Sequence, residues 1–186
     1  MIYIIDHKDS FTHNIVHQFS NFDANIECEN FDNINITKLQ RADVIVLSPG
    51  PGAPKDYPKT LKIYKQYKKK KKIIGICLGF QQILYSENGK IIKQNKIYHG
   101  FQSVVKVTSK KSLFVKNRTF NVGRYHSLKL KEPFSIKNFD ITMRCKISNT
   151  AMAIENKIDK IYGFQFHPES FLTENGNILI KKILSA

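Results

Sequence analysis

The 186 residues include no tryptophan, only three cysteines and six prolines, and half as many acidic as basic side chains, 15 against 30. Each shortage excludes something. Cys28, Cys77 and Cys145 are odd in number and form no CxxC pair, which argues against a disulfide framework and against a cysteine-rich zinc site. No apolar run approaches the roughly 20 residues of a membrane span. Met1-Ile-Tyr-Ile-Ile-Asp6 has neither the basic flank nor the apolar length of a secretory signal. The expectation is a cytoplasmic chain with reduced thiols and no membrane association.

The lack of acids leaves a formal charge of +15, enough to attract polyanions. The lysines are nevertheless scattered among asparagines and isoleucines. Only Lys68–Lys72 is a dense run, and it closes a helical pattern, where cations complement the macrodipole. A solvated helix end is therefore expected there, not a nucleic-acid contact.

What is present is an alternation of strand and helix signals. Ile2 to Ile5 reads as a buried strand. Phe11, Ile15, Val16 and Phe19 then recur at helical spacing behind a cap at Asp9 or Ser10. Ala24, Ile26 and Cys28 alternate with polar residues, and Asp43 to Leu47 is a continuous apolar strand of the parallel-sheet kind. Tyr57, Leu61, Tyr64 and Tyr67 mark a helix. Ile73 to Cys77 is the next strand, and Phe80 to Ser86 the next helix. The second half changes to short strands around Val104–Thr108, Phe120–Tyr125, Ile141–Ile147, Met152–Glu155 and Ile161–Phe166, closed by a helix from Thr173 to Leu184. With no repeat or linker, one α/β domain over residues 1–186 is expected. Its doubly wound, mostly parallel central sheet would be flanked by helices, beside a smaller antiparallel sheet. Ligands of such sheets bind beyond the carboxyl ends of the strands, which directs attention to the loops after Leu47 and Cys77.

Cys28 and Cys145 fall into alternating strand patterns and are expected in the core. Cys77 differs, because it ends a strand inside Gly75-Ile-Cys-Leu-Gly79. Strand, Gly-x-Cys-x-Gly and helix in that order match a nucleophile elbow with sulfur in place of oxygen. Such a sharp turn brings backbones so close that side chains at 75 or 79 would obstruct it. It also sets the sulfur at a helix N-terminus, where N–H groups and the dipole favour negative charge. The N–H of Leu78 would face a developing oxyanion.

A thiol nucleophile needs a base. His13 and His17 are spaced i, i+4 but lack a third partner for a metal, so they read as solvated. His167 ends a strand and is followed by Pro168 and Glu169. In extended chain an i, i+2 spacing turns the imidazole and carboxylate to the same side, so Glu169 can orient the ring. Ser48-Pro-Gly-Pro-Gly52 lacks the pattern of a phosphate loop. Its backbone donors suit a second oxyanion contribution, and a plain surface turn is the competing reading. A non-enzymatic basic binding module is a competing reading of the whole chain.

Five motifs in order, DSFT at 9–12, SPGPG at 48–52, GICLG at 75–79, RYHSL at 124–128 and FHPES at 166–170, resemble those of class I glutamine amidotransferases. DSFT together with YHSL is similar to the small glutaminase subunits of chorismate-using synthases, those forming anthranilate for tryptophan or aminodeoxychorismate for para-aminobenzoate and folate. The resemblance implies a Cys77–His167–Glu169 triad, an oxyanion hole from Gly52 and Leu78, and glutamine binding by Gly50, Pro51, Gly52, Gln81, Ser127 and Leu128. It implies L-glutamine as substrate and ammonia channelled to a chorismate-binding synthase subunit, in a heterodimer or heterotetramer. No metal or cofactor is implied in this chain, Mg2+ being expected in the partner. The competing enzyme reading of the same resemblance is a stand-alone γ-glutamyl hydrolase on the same fold. Two positions depart from the pattern. Phe80 replaces a common histidine and Phe101 a usual basic residue, and both departures are expected to reflect coupling to the partner.

Overall fold

Nine strands share one sheet in the computed structural model, which describes residues 1–186. In chain order the elements are β1 (Ile2–Asp6), α1 (Thr12–Ser20), β2 (Ile26–Asn30), α2 (Ile36–Arg41), β3 (Val44–Leu47), α3 (Pro58–Tyr67), β4 (Lys72–Ile76) and α4 (Leu78–Ser86). There follow β5 (Ile91–Lys93), β6 (Phe101–Val107), β7 (Thr119–Arg124), β8 (Leu128–Leu130), β9 (Asp140–Cys145), β10 (Ala151–Asn156), β11 (Ile161–Phe164) and α5 (Gly176–Leu184). The sheet runs β2-β1-β3-β4-β11-β10-β9-β6-β7. Pairings from β2 to β11 are parallel, and those beyond β11 are antiparallel. The second-half strands thus extend the main sheet, and only β5 and β8 form a separate antiparallel pair.

Strand periodicity divides the core. Ile2, Ile4, Val46, Ile74 and Ile76 face one side, where Ile15 and Phe19 of α1 and Leu179, Ile180 and Ile183 of α5 cover them. Tyr3, Ile5, Ile45, Leu47 and Ile73 face the other side, under Ile63 and Tyr64 of α3 and Phe80 and Ile83 of α4. Side chains that alternate along one strand so bury against helices on both faces, which is why these strands read as unbroken apolar runs.

Several expectations need correction. α1 starts at Thr12, because the Asp9 carboxylate accepts from Phe11 N and turns the chain one step before the helix; no side chain caps it. Cys28 is exposed, since β2 is an edge strand. β9 ends at Cys145, and Ile147 lies in the following turn, 91 % exposed. α5 begins at Gly176, because residues 173 and 174 bond to β7 instead: Gly123 N donates to Thr173 Oγ1 and Glu174 N to Asn121 O. α2 went unpredicted; its six residues carry little periodicity, although the Asn35 side chain caps it by accepting from Lys38 N.

The lysine run is not simply solvated. Lys68 pairs with the buried Glu87 at 2.7 Å, and Lys71 donates to the carbonyls of Gln40 and Ala42 at the end of α2. Lys72 is buried and donates to the last carbonyls of α5, Ile183 at 3.0 Å and Leu184 at 2.7 Å. Phe80 is fully buried against Gly163 of β11, so the departure from the family pattern is a packing change, not a surface for the partner.

The two glycines around Cys77 answer to distance. A Cβ on Gly75 would lie 2.5 Å from the Gly79 carbonyl carbon, and one on Gly79 would lie 2.2 Å from the Leu47 oxygen. Those contacts are backbone and cannot swing away. Gly79→Ala is expected to destabilise the fold by about 3 kcal/mol. Urea unfolding of the two proteins measures it, and a loss under about 1 kcal/mol would show that α4 can lift freely from β3.

Candidate functional site

Parallel pairing places the site. β4 and β11 are neighbours, with Gly163 opposite Gly75 and Phe164 opposite Ile76, so both chains leave the sheet on the same rim. Cys77 follows β4, tied back by its N–H to the Phe164 carbonyl at 2.8 Å. Its backbone has φ 51° and ψ −98°, a strained conformation for a residue with a Cβ, and it caps α4. The elbow thus presents the sulfur at the start of a helix whose first N–H groups have no intrahelical acceptor.

His167 follows β11. Its Nδ1 lies 2.7 Å from Glu169 Oε1, and both side chains are almost wholly buried. Nδ1 must carry the proton shared with the carboxylate, which leaves Nε2 free; Nε2 has no hydrogen-bond partner. Burial opposes charge on this ring, but Glu169, then Cys77, outweigh it and raise its pKa well above the ordinary 6.5. Phe11, tilted, and Tyr125, edge-on, pack against the ring at centroid distances of 5.1 and 5.0 Å, and Tyr125 is held through its hydroxyl to Ser170 Oγ.

A cavity of about 170 Å³ opens over the sulfur. Gly50, Pro51, Gly52, Cys77, Leu78, Gln81 and residues 125–128 line it. Every residue that the family resemblance assigned to glutamine or to the oxyanion is therefore on its wall. Larger clefts elsewhere are lined mainly by lysines and turn residues and contain no nucleophile. Gly52 takes φ +74°, and beside it the Asp56 carboxylate pins the loop by accepting from Ala53 N at 2.8 Å. Gly50 has no room for a side chain, since a Cβ would sit 2.5 Å from His7 Cβ and 2.7 Å from Leu78 Cδ2. His7, buried and neutral with its pKa lowered to about 4 by burial, props the same loop: its N–H donates to Ser48 Oγ at 2.9 Å.

The structure adds one side chain next to the sulfur that sequence reasoning passed over. Gln165 Nε2 is 3.8 Å from Cys77 Sγ, and Gln165 Oε1 accepts from Gln81 Nε2 at 3.1 Å. Its position two residues before His167 in an extended chain was the available signal. His13 and His17 stay exposed on α1. No three His, Cys, Asp or Glu side chains converge anywhere to hold a metal, and no helix is long and apolar enough to cross a membrane.

Comparison with known proteins agrees with this geometry. The family described as glutamine amidotransferase class-I matches residues 3–186. Anthranilate synthase component 2 of Lactococcus lactis is 38% identical over 186 residues, covering 100% of this chain and 94% of that one. The bifunctional protein TrpGD of Thermotoga maritima is 36% identical over 99% of this chain, which spans 32% of that longer protein. Among solved structures, one from Thermoplasma acidophilum aligns over 99% of this chain and 92% of its own with a TM-score of 0.83 at 21% identity. A glutamine amidotransferase from Thermotoga maritima aligns over 90% and 75% with a TM-score of 0.72 at 17% identity, and these two establish the fold alone.

The buried pair makes a testable statement about pH. In an NMR titration His167 is expected to keep its proton well above 6.5, and Glu169→Gln to lose it at lower pH. A group with a raised folded pKa adds stability that is complete below its unfolded pKa and disappears as pH rises through the folded one. The margin of thermal stability over Glu169→Gln should therefore shrink as pH climbs through the His167 pKa. A margin that grew instead would contradict the assignment.

Proposed function

This chain belongs to the class I glutamine amidotransferase family, and from that premise we propose that it is the glutaminase subunit of an anthranilate synthase. It hydrolyses L-glutamine to glutamate and delivers the ammonia to a chorismate-binding synthase subunit. Likeness over its whole length to anthranilate synthase component 2 supports the pathway. The observation that carries the chemistry is the strained Cys77 elbow on the wall of a small cavity, with the buried His167–Glu169 pair on the same rim.

The steps follow from what each group can do. Glutamine lies with its amino-acid end against Gln81 and the Ser127–Leu128 backbone, and its side-chain amide over Cys77. The thiol proton has already passed to His167 Nε2, completing the imidazolium that Glu169 favours, and the sulfur attacks the amide carbon, forming a C–S bond. The oxygen's charge falls on the N–H groups of Gly52 and Leu78. His167 returns the proton to nitrogen as the C–N bond breaks, so ammonia leaves and a γ-glutamyl thioester remains. A water molecule, deprotonated by the same ring, attacks the thioester, and collapse releases glutamate and the thiol. Glu169 keeps the proton on Nδ1 throughout and stabilises the imidazolium between steps. Gln165 holds both Gln81 and the sulfur in register.

Side chains and backbone suffice for this hydrolysis, so we assign no cofactor to this subunit and place Mg2+ with the chorismate chemistry of the partner. Reduced thiols suit the cytoplasm. The partner's place is suggested by apolar residues beside the mouth of the site: Phe171 is 88 % exposed, Ile97 65 % and Phe101 49 %. Gln102 Nε2 donates to Leu172 O at 2.9 Å and holds the segments of Phe101 and Phe171 together. Phe101 thus remains a candidate contact with the synthase, as expected from its place in the family's loop.

With its synthase partner, Cys77→Ala is expected to lose glutamine-dependent anthranilate formation by about 10⁴-fold or more while formation from ammonium salt persists. Glutamine use surviving in that variant would remove Cys77 from the mechanism. Recovery of an aminodeoxychorismate-forming synthase, and no anthranilate-forming one, from the source cell with this chain as bait would move it to the para-aminobenzoate pathway.

A further inference from the structure

Arg124, at the end of β7, is the largest side chain that the fold buries completely, and no carboxylate pairs with it. Its Nε donates to His126 Nε2 at 3.0 Å, one terminal nitrogen donates to Cys145 Sγ at 3.5 Å, and the other has no partner. The guanidinium carbon lies 3.4 Å from the centroid of the Tyr98 ring, so an aromatic face occupies the place an anion would usually fill. Burying a cation without an ion pair is expensive. Packing alone does not call for one at this position.

What the guanidinium does is set the state of His126. Arginine Nε–H can only donate, so His126 Nε2 must be bare. The Leu128 carbonyl can only accept, so His126 Nδ1, 2.8 Å from it, must carry the proton, and Gln94 Nε2, 3.2 Å from Nδ1, donates to the nearer His126 carbonyl instead. The ring is thereby locked as the neutral Nδ1–H tautomer. Burial, then the charge of Arg124, lowers its pKa to about 3, in keeping with that. The bond from Nδ1 ends on Leu128, which with Ser127 forms one wall of the cavity over Cys77. Residues 94–100 strap the same wall from outside. Gln94 N donates to Ser127 O at 2.9 Å, Tyr98 N to His126 O at 3.3 Å and Gly100 N to Arg124 O at 3.0 Å. Tyr98 and Arg124 themselves do not line the cavity.

We infer that Arg124, clamped under the Tyr98 ring, is a positioning residue for glutamine: it holds His126 in the one tautomer that fixes the Ser127–Leu128 wall. This rests on the glutaminase reading above. The clamp touches neither Cys77 nor His167, so its loss falls on the binding of substrate more than on the chemical step.

The Tyr98 series tests it without emptying the core, because Tyr98 is only half-buried. Kinetics are measured on the complex with saturating synthase partner, and the tautomer of His126 by nitrogen-15 shifts of its ring in the full chain. Tyr98→Phe keeps the aromatic face and is expected to keep KM within about twofold, whereas Tyr98→Ala raises KM for glutamine roughly fivefold to tenfold with kcat little changed. In Tyr98→Ala the ring signals of His126 should move toward a mixture of tautomers, and Arg124→Lys, which lacks the Nε donor, should show the same mixture. An Nε2–H tautomer in the unmodified protein, or an unchanged KM in Tyr98→Ala, overturns the proposal. A complex that does not hydrolyse glutamine at all overturns the glutaminase reading instead. The tautomer measurement needs no substrate and still decides the clamp.

Discussion

The contact on which the site depends is one of backbone against backbone, where α4 meets the ends of β3 and β4. Gly79 lies so close to the Leu47 carbonyl, and Gly75 to Gly79, that no side chain fits at either position. That closeness forces the reversal at Cys77 into positive φ, and the reversal lifts the sulfur off the sheet to the mouth of the cavity. The same contact carries Leu78, whose side chain crowds Gly50. The proposed nucleophile and both sides of the proposed oxyanion pocket therefore share one steric fit, to which the Cys77 N–H bond to Phe164 and the Asp56 bond to Ala53 N add their hold.

Pairing of β4 with β11 supplies the rest. Because these strands are parallel and in register, the chain emerges from both at one level, and a histidine three residues past β11 faces a cysteine one residue past β4. β7 then reaches the rim from the antiparallel side through the bridge between Gly123 and His167, and it brings Arg124, His126 and the Ser127–Leu128 wall with it. The antiparallel half of the sheet is thus part of the site and not an appendage to a parallel catalytic half. That explains why residues 124–128 and 166–170 can act together though they are 40 positions apart.

Cys77 and His167 stand out in the sequence because each follows a strand at a turn shaped by glycine or proline, and Glu169 because it comes two residues after His167. The parallel strands were legible for a related reason: buried on both faces, they are continuous apolar runs. What stayed hidden was whatever depends on a partner remote in sequence. Gln165 looks like any polar residue near a strand end until the sulfur is placed next to it. Cys28 follows the same alternation as Cys145, and only the order of strands separates an edge position from a core one. Phe80 departs from a family pattern in a way that suggested a surface. Its burial depends on which side of α4 meets the sheet, and a helix buried over most of its circumference carries little periodicity to reveal that.

The shortage of acidic residues also leaves a physical imprint. With 30 cationic side chains and 15 acidic ones, at most half of the cations can have a carboxylate to themselves. The fold gives several of them neutral partners. Lys71 and Lys72 end on the terminal carbonyls of α2 and α5, where the helix dipole presents negative charge, and Arg124 ends on an imidazole, a sulfur and an aromatic face. Lys72 loses proton affinity to burial first and to Lys160 second, as expected of an ammonium whose partners are only dipoles. Carboxylates that are buried sit where a dipole would not serve. Glu87 receives both Tyr64 and Lys68, Glu155 orders the turn at Ser112 and Leu113, and Glu169 lies on His167. Of these, only Glu169 faces a group that gains and loses a proton in the proposed turnover. A carbonyl at that place could orient the ring, but it could not offset the imidazolium charge against the desolvation that burial imposes. The identity of that residue is therefore dictated by electrostatics, in a chain where acids are otherwise scarce.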